Sequence, residues 1–459
     1  MKLDSRHSVY FLGIGGIGMS ALARWFHAHD FAVSGYDKTS TTLTDSLEAE
    51  GISIHFEDNI NSIPEKIILD KKGTLVVYTP AVPNEMGEFQ FFVQEGYDLQ
   101  KRSQVLGMLT ASRFTIAVAG THGKTTTSSM IAHLLKAADV DCSAFVGGIM
   151  TNYQTNLLIG ENDNVIVVEA DEYDRSFLTL YPDVAIITAT DADHLDIYGS
   201  KDSLKDSFNE FIKNIKANGH LFVEEGVAGE LNLNPNGNIN VQTYGLEKGD
   251  IHASNLMIEN GTFNFQFQHH HNKVSGFELA MPGFHNVNNA LAAISSTQKI
   301  VSAEKLVSGI NSYLGVKRRF EFIIKSDEIV FIDDYAHHPA EIKALIVSVR
   351  ALYPNRKITA LFQPHLFTRT RDFADEFAAS LSLADDVILL DIYPARELPI
   401  AGVTSDVIAR NVKTKSVQQI TKEVAVDYVV KNKPELLLTI GAGNIDTLVH
   451  PLKEKLERK

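Results

Sequence analysis

The sequence predicts an α/β protein of three domains, each built on a mostly parallel sheet. Three observations predict it. The chain has 459 residues, which at roughly 150 residues per domain is too long for a single core. Apolar runs of strand length alternate with helical patterns along most of that length. Twice, an apolar run leads straight into a glycine-rich loop and then a helix, the punctuation of an open sheet that meets ligands at the carboxyl ends of its strands.

The first series opens with Val9 to Leu12 as a strand, a glycine turn, a helix from about Ile17 to His29 and a strand from Phe31 to Tyr36. That βαβ unit begins a Rossmann-like domain, 1–110. Lys66 to Leu69 and Leu75 to Thr79 read as its further strands, and a helical stretch around Ser103 to Thr110 closes it. The second series starts with the strand Phe114 to Ala119, and its later strands, Val165 to Val168 and Val184 to Thr188, each end in acids. Near 219 to 280 the character changes, and Thr262-Phe263-Asn264-Phe265-Gln266-Phe267 alternates as antiparallel hairpins appended to a parallel sheet do. A helix from about Asn286 to Val301 completes this central, P-loop ATPase-like domain, 111–314. Strands at Ile329 to Ile332, Ile358 to Phe362, Val387 to Leu390 and Leu436 to Ile440 then predict a second Rossmann-like domain, 315–459.

Composition narrows the function. With 42 Lys+Arg against 57 Asp+Glu the net charge is −15, a field that repels nucleic acid and anionic lipid alike. Cys142 is the single cysteine, so no disulfide forms within the chain and a reducing, cytoplasmic setting is expected. It reads as a small buried residue. No 18-residue apolar stretch and no signal-peptide pattern is present, and the chain is expected neither to span nor to cross a membrane. Monomer and homodimer both remain open.

Gly13-x-Gly15-x-x-Gly18 follows a strand and opens a helix, and Asp37 ends the next strand. Glycines let backbone N–H groups approach a diphosphate at the positive helix end, and an acid so placed takes sugar hydroxyls. The expectation is a nucleotide diphosphate, whichever base it carries. Gly120-Thr121-His122-Gly123-Lys124-Thr125 resembles a P-loop two residues short, since Val118 stands where the longer pattern has glycine. Strand, glycine turn, a lysine for the β- and γ-phosphates and a hydroxyl for Mg²⁺ are all present. The strand Val165 to Val168 delivers Glu169-Ala170-Asp171-Glu172 where a metal-supporting carboxylate is expected, and Asp191 to Asp196 forms a second acidic cluster around His194.

Together the short loop Gly120 to Thr126, Glu169, Asp193-His194, His285 to Ala290, Arg318-Arg319-Phe320 and Asp333 to Pro339 resemble the Mur ligase family over essentially the whole chain. Gly13 to Ala21 and Gln363 to Arg371 most resemble the branch that joins L-alanine to UDP-N-acetylmuramate in peptidoglycan precursor synthesis. The resemblance implies an ATP-dependent ligase that activates a carboxylate as an acyl phosphate for attack by an amine. It implies that Gly120, Thr121, His122, Gly123, Lys124, Thr125 and Thr126 cradle ATP, with Mg²⁺ at Thr125 and Glu169 and a second ion at His194. Asn286 and Asn289 would bind adenine, Arg319 would reach the phosphates and Asp334 would orient the nucleotide. Gly13, Gly15, Gly16, Ile17, Gly18 and Asp37 would hold the UDP-sugar, and Tyr335, His365 and Arg369 would line the alanine pocket. Leu366-Phe367 replaces the Arg-Tyr usual after the pocket histidine, and none of Lys201, Lys205 and Lys213 matches the carbamylated lysine of related branches.

Three alternatives compete. A ligase recycling a ready-made tripeptide onto the same sugar nucleotide shares the second loop, but Gln363 to Arg371 favours the free amino acid. An NAD-dependent oxidoreductase built on Gly13 to Gly18 leaves the Gly120 loop unexplained. A non-catalytic nucleotide-binding module would make no amide. The three histidines His269 to His271 fall at a turn and carry no metal expectation.

Overall fold

A computed structural model describes residues 6–191, 198–234, 237–259, 262–281, 283–395 and 397–457. They form three α/β sheets distributed over two compact units: 1–254 with 267–275 and 289–312, and 255–266 with 276–288 and 313–459.

In the first unit, β1 (Ser8–Leu12), β2 (Ala32–Tyr36), β3 (Ser53–His55), β4 (Thr74–Tyr78) and β5 (Asp98–Lys101) form an all-parallel sheet of order β3-β2-β1-β4-β5. The helix Ile17–Ala28 packs on it because Met19, Leu22, Ala23 and Phe26 recur at helical spacing and are buried. The expected strand at Lys66 to Leu69 is instead a short helix, Glu65–Leu69, with Pro64 before it. Three consecutive apolar residues fit either period, and here Ile67 alone is buried while Ile68 and Leu69 are exposed.

The second sheet continues the same unit with β6 (Phe114–Ala119), β7 (Cys142–Met150), β8 (Thr155–Leu158), β9 (Val165–Ala170), β10 (Val184–Ile187), β11 (His220–Glu224) and β12 (Asn240–Gly245). Its order is β12-β11-β10-β6-β9-β7-β8, parallel except for the β7–β8 hairpin. Buried Phe11, Leu22 and Val105 join Ala117, Ile166 and Phe208 in one apolar cluster, so the first two sheets share a core. The change of pattern comes later than expected: β11 and β12 are still parallel, and the meander begins with β13 (Ile251–Glu259), β14 (Thr262–His269) and β15 (Asn272–Leu279). Phe263, Phe265 and Phe267 are buried on alternate positions of β14, and the two-residue turn His270-His271 permits only an antiparallel return. The division between the units runs through this meander.

The second unit carries the third sheet: β16 (Glu321–Lys325), β17 (Val330–Asp334), β18 (Ile358–Phe362), β19 (Asp386–Leu389), β20 (Ser416–Gln419) and β21 (Leu436–Ile440), in the order β16-β17-β21-β18-β19-β20. Only β16 runs antiparallel to its neighbour. Phe331, Leu361, Ile388 and Leu437 centre its core. The edge strands β16 and β20 hold no long apolar run, which is why the sequence pattern does not announce them. Among the described residues no helix is long and apolar enough to cross a membrane.

Candidate functional site

Strand β6 delivers the short glycine loop to the start of the helix Lys124–Ala137. Gly120 (φ +131°) and Gly123 (φ +81°) both adopt backbone conformations that side chains rarely tolerate. A Cβ on Gly123 would also lie 2.7 Å from the amide oxygen of Asn289. Gly123 is the N-cap and supplies no side-chain acceptor to the first turn, an arrangement suited to an anion. The loop is stitched to the end of β10: Thr121 N–H donates to Ala189 O (3.0 Å), Thr121 Oγ1 accepts from Asp191 N–H (3.1 Å) and Thr188 Oγ1 donates to His122 O. His122 Nε2 lies 3.5 Å from Asp191 Oδ2, and Thr126 is buried.

Lys124 is held tightly. Its Nζ donates to Gly120 O (2.7 Å) and to both Glu172 oxygens (2.9 and 2.8 Å). Burial works to lower the Lys124 ammonium, but Glu172, then Asp171 and Glu169, outweigh it and raise it above its usual range. Burial likewise pushes the Glu172 carboxyl up, with Lys124 pulling the other way. Glu169, at the end of β9, accepts from Thr125 Oγ1 (3.1 Å) and Gly147 N–H (2.9 Å). Hard oxygen donors of this kind fit Mg²⁺, which takes one or two carboxylates and completes its shell with substrate phosphates and water. No cluster of three or more His, Cys, Asp or Glu residues suited to a metal occurs among the described residues, and a two-donor Mg²⁺ site needs none. His194, expected at a second ion, and its neighbour Asp193 lie outside the described residues.

The first glycine loop, beginning after β1, opens on a cavity of about 980 Å³. Gly13, Gly15, Gly16, Ile17, Gly18 and Asp37 all line it, and Glu169 and Asp171 line its other wall. Asp37 takes a role beyond the expected sugar contact: its Oδ2 accepts from Gly15 N–H at 2.8 Å, which fixes the loop. From β8, Asn156 reaches the same loop and donates to Ile17 O (2.6 Å), while Arg24 donates to the Asn156 amide oxygen (2.7 Å).

The helix Phe284–Thr297 carries Asn286 and Asn289, three residues apart and both buried. In the second unit, Asp334 ends β17 and is enclosed by backbone donors, Phe320 N–H and Ala336 N–H, each at 2.7 Å. Burial pushes its carboxyl up to about 6, with Arg319 the main opposing influence. The Arg319 guanidinium lies 5.1 Å from the Tyr335 ring centre and 4.0 Å from Glu341. Tyr335, His337, His365 and Tyr393 follow one another at ring-centre spacings of 5.4, 6.1 and 5.7 Å. Arg369 lies one turn beyond His365 on the helix Phe367–Asp372. The unit thus gathers Tyr335 and His365 on one aromatic row and Arg319 with Asp334 beside it.

Models of three Mur ligase domains match the chain: the catalytic domain over 8–114, the middle domain over 118–297 and the glutamate ligase domain over 318–443. The chain belongs to the Mur ligase family. A UDP-N-acetylmuramate–L-alanine ligase of Cytophaga hutchinsonii is 46% identical over 463 residues, covering 100% of this chain and 99% of the relative. Its counterpart in Parabacteroides distasonis is 48% identical over 460 residues, covering 99% and 98%. Among solved structures, the UDP-N-acetylmuramate-alanine ligase of Thermotoga maritima is similar with a TM-score of 0.81 at 28% identity, covering 98% of each chain. In this Mur ligase, two residues join the sites that spacing alone does not single out. Glu172 is one, although the acidic run it closes is visible in sequence. Arg102 is the other, and its signal is a cation at a helix start.

Proposed function

We infer that this chain is an ATP- and Mg²⁺-dependent ligase that joins L-alanine to the lactyl carboxylate of UDP-N-acetylmuramate through an acyl phosphate. One observation carries the reading: a single cavity extends from the diphosphate-type glycine loop to Glu169, the carboxylate beside the P-loop. A sugar nucleotide anchored at Gly13 to Gly18 would present its acid where the γ-phosphate of ATP is expected. The full-length relatives bearing that activity in their names support the same substrates.

Two anions must meet for this chemistry. A carboxylate and one phosphate charge about 4 Å apart repel by about 4 kcal/mol at an effective dielectric near 20. Lys124 would offset the charge on the β- and γ-phosphates, with the loop N–H groups of Gly120 to Thr126 sharing it. Thr125 and Glu169 would hold Mg²⁺, with His194 at a second ion; when bound, the metal neutralises charge developing on the phosphoryl oxygens. Asn286 and Asn289 would hold adenine, and Arg319 and Asp334 would fix the phosphates and the nucleotide. Tyr335 and His365 would shape a small niche and Arg369 would take the alanine carboxylate by its fork. The assignment divides the chain at 1–110 for the UDP-sugar, 111–314 for ATP and 315–459 for the amino acid.

Phosphate release in the presence of ATP, UDP-N-acetylmuramate and L-alanine tests the reading. Release with alanine and none with the tripeptide supports it; the reverse assigns the recycling reaction. Oxygen from the labelled lactyl carboxylate must appear in the liberated phosphate, and its absence would remove the acyl phosphate.

A further inference from the structure

Arg102 is the first residue of the helix Arg102–Ala111, with Lys101 as N-cap. A cation there faces the positive end of the helix dipole, so local helix energetics do not explain it. Its side chain instead points across the first glycine loop: a Cβ built on Gly18 would lie 2.6 Å from an Arg102 guanidinium nitrogen. The absence of a side chain at position 18 is what admits it. Among the described residues its one ion-pair partner is Asp171, at 3.8 Å and half-exposed, a distance too long for a hydrogen bond. The five N–H donors of the fork are therefore largely available to a ligand.

The cavity gives that cation its meaning. Five carboxylates line it against two cations, Lys38 and Arg102, yet the ligand it is read to take is an anion. Lys38 is exposed, whereas Arg102 is half-buried between the glycine loop and the Glu169–Asp171 wall. Its backbone is also fixed. Thr179 Oγ1 donates to Ser103 O at 2.8 Å, and a Cβ on Gly107 would lie 2.6 Å from Thr179 O, so the helix is pinned to the segment Tyr173–Thr179. Rigid support of this kind is what an anion-binding fork needs.

We propose that Arg102 binds the diphosphate of the sugar nucleotide, completing from the side a cradle whose floor is the backbone of Gly15 to Gly18. The proposal rests on the UDP-sugar reading and deepens it. Binding to the full-length protein is measured by calorimetry with uridine, UDP and UDP-N-acetylmuramate, alongside the KM for ATP. A charge-assisted contact of this type is worth about 10- to 100-fold in affinity. Arg102→Ala is expected to weaken UDP and UDP-N-acetylmuramate by that factor and to leave uridine and the KM for ATP within about twofold. Arg102→Lys keeps the charge without the fork and is expected to fall between. Gly18→Ala, which displaces the guanidinium without removing it, is expected to weaken UDP in the same direction and serves if Arg102→Ala does not fold.

Unchanged UDP affinity in Arg102→Ala overturns the proposal. Loss confined to UDP-N-acetylmuramate places the guanidinium on the sugar acid and overturns the diphosphate assignment, and equal loss for uridine means that Arg102 merely shapes the loop. A wild-type protein that binds neither UDP nor the sugar nucleotide defeats the underlying reading instead.

Discussion

The two glycine loops stand in the same setting, a parallel strand before and a helix after, yet they solve different electrostatic problems. The first holds no charged side chain between Gly13 and Gly18 and is braced from outside by Asp37 and Asn156, with the Arg102 guanidinium beside it. The second carries its own cation, Lys124, already paired with a buried acid. A diphosphate that is only held needs backbone donors and a fixed shape; phosphates at which bonds break need charge placed in advance. Under the proposed ligase reading, the difference teaches that the glycine pattern marks a phosphate site and the side chains around it decide whether chemistry follows.

The largest break in that comparison is Lys124→Ala. It is expected to lower turnover by at least about 10³-fold, measured as amino-acid-dependent phosphate release. Because Glu172 is buried against Lys124, its removal leaves an uncompensated acid and costs about 3–5 kcal/mol of stability. Adding Glu172→Gln should restore much of the melting temperature and none of the activity. Equal melting of the single and double variants would sink the pairing argument.

Asp37→Ala addresses the other loop. Loss of the contact to Gly15 N–H is expected to raise the KM for UDP-N-acetylmuramate about 10-fold, as for one charge-assisted hydrogen bond, and to leave the KM for ATP alone. If the KM for ATP moved as much, the two loops would not be independent. Asn156→Ala removes the tie from β8 to Ile17 O and orphans part of Arg24, with an expected stability loss of about 1–3 kcal/mol in chemical denaturation. No change there would mean that the shared core alone holds the first loop.

The smallest effect lies outside both loops and contrasts a carboxylate satisfied by backbone N–H groups with one satisfied by a lysine. Burial raises Asp334 from 3.8 to about 6, so the folded state binds its proton more tightly than the unfolded chain. Its contribution to stability is full below pH 3.8 and is lost as pH rises through about 6. The stability of the wild type relative to Asp334→Asn should therefore decline between about pH 4 and pH 6.5. A gap that widens over that window contradicts the raised carboxyl.

Much of this was legible in the residues. Gly120, Gly123 and Lys124 act locally, within one strand–loop–helix, so their spacing is enough to read them. Glu169 follows from the rule that acids collect at strand ends. Lys66 to Leu69 was illegible for want of length, since three apolar residues define no period. The edge strands β16 and β20 were illegible because little of them is buried. Glu172 was ambiguous because three acids in four residues differ only in which way the chain turns after β9.

By itself the sequence determined the alternation of strands and helices, the two phosphate-type loops and the lysine, hydroxyl and carboxylate that furnish the second. Those are properties of short segments, set by period, glycine conformation and side-chain charge. Only the tertiary structure decided that the first two sheets share a core, that one cavity reaches from Gly13 to Glu169, and that Arg102 crosses the glycine loop. These depend on which distant surfaces bury each other, and side chains such as Arg24 and Asn156, 132 positions apart, meet only once packing has chosen among the alternatives.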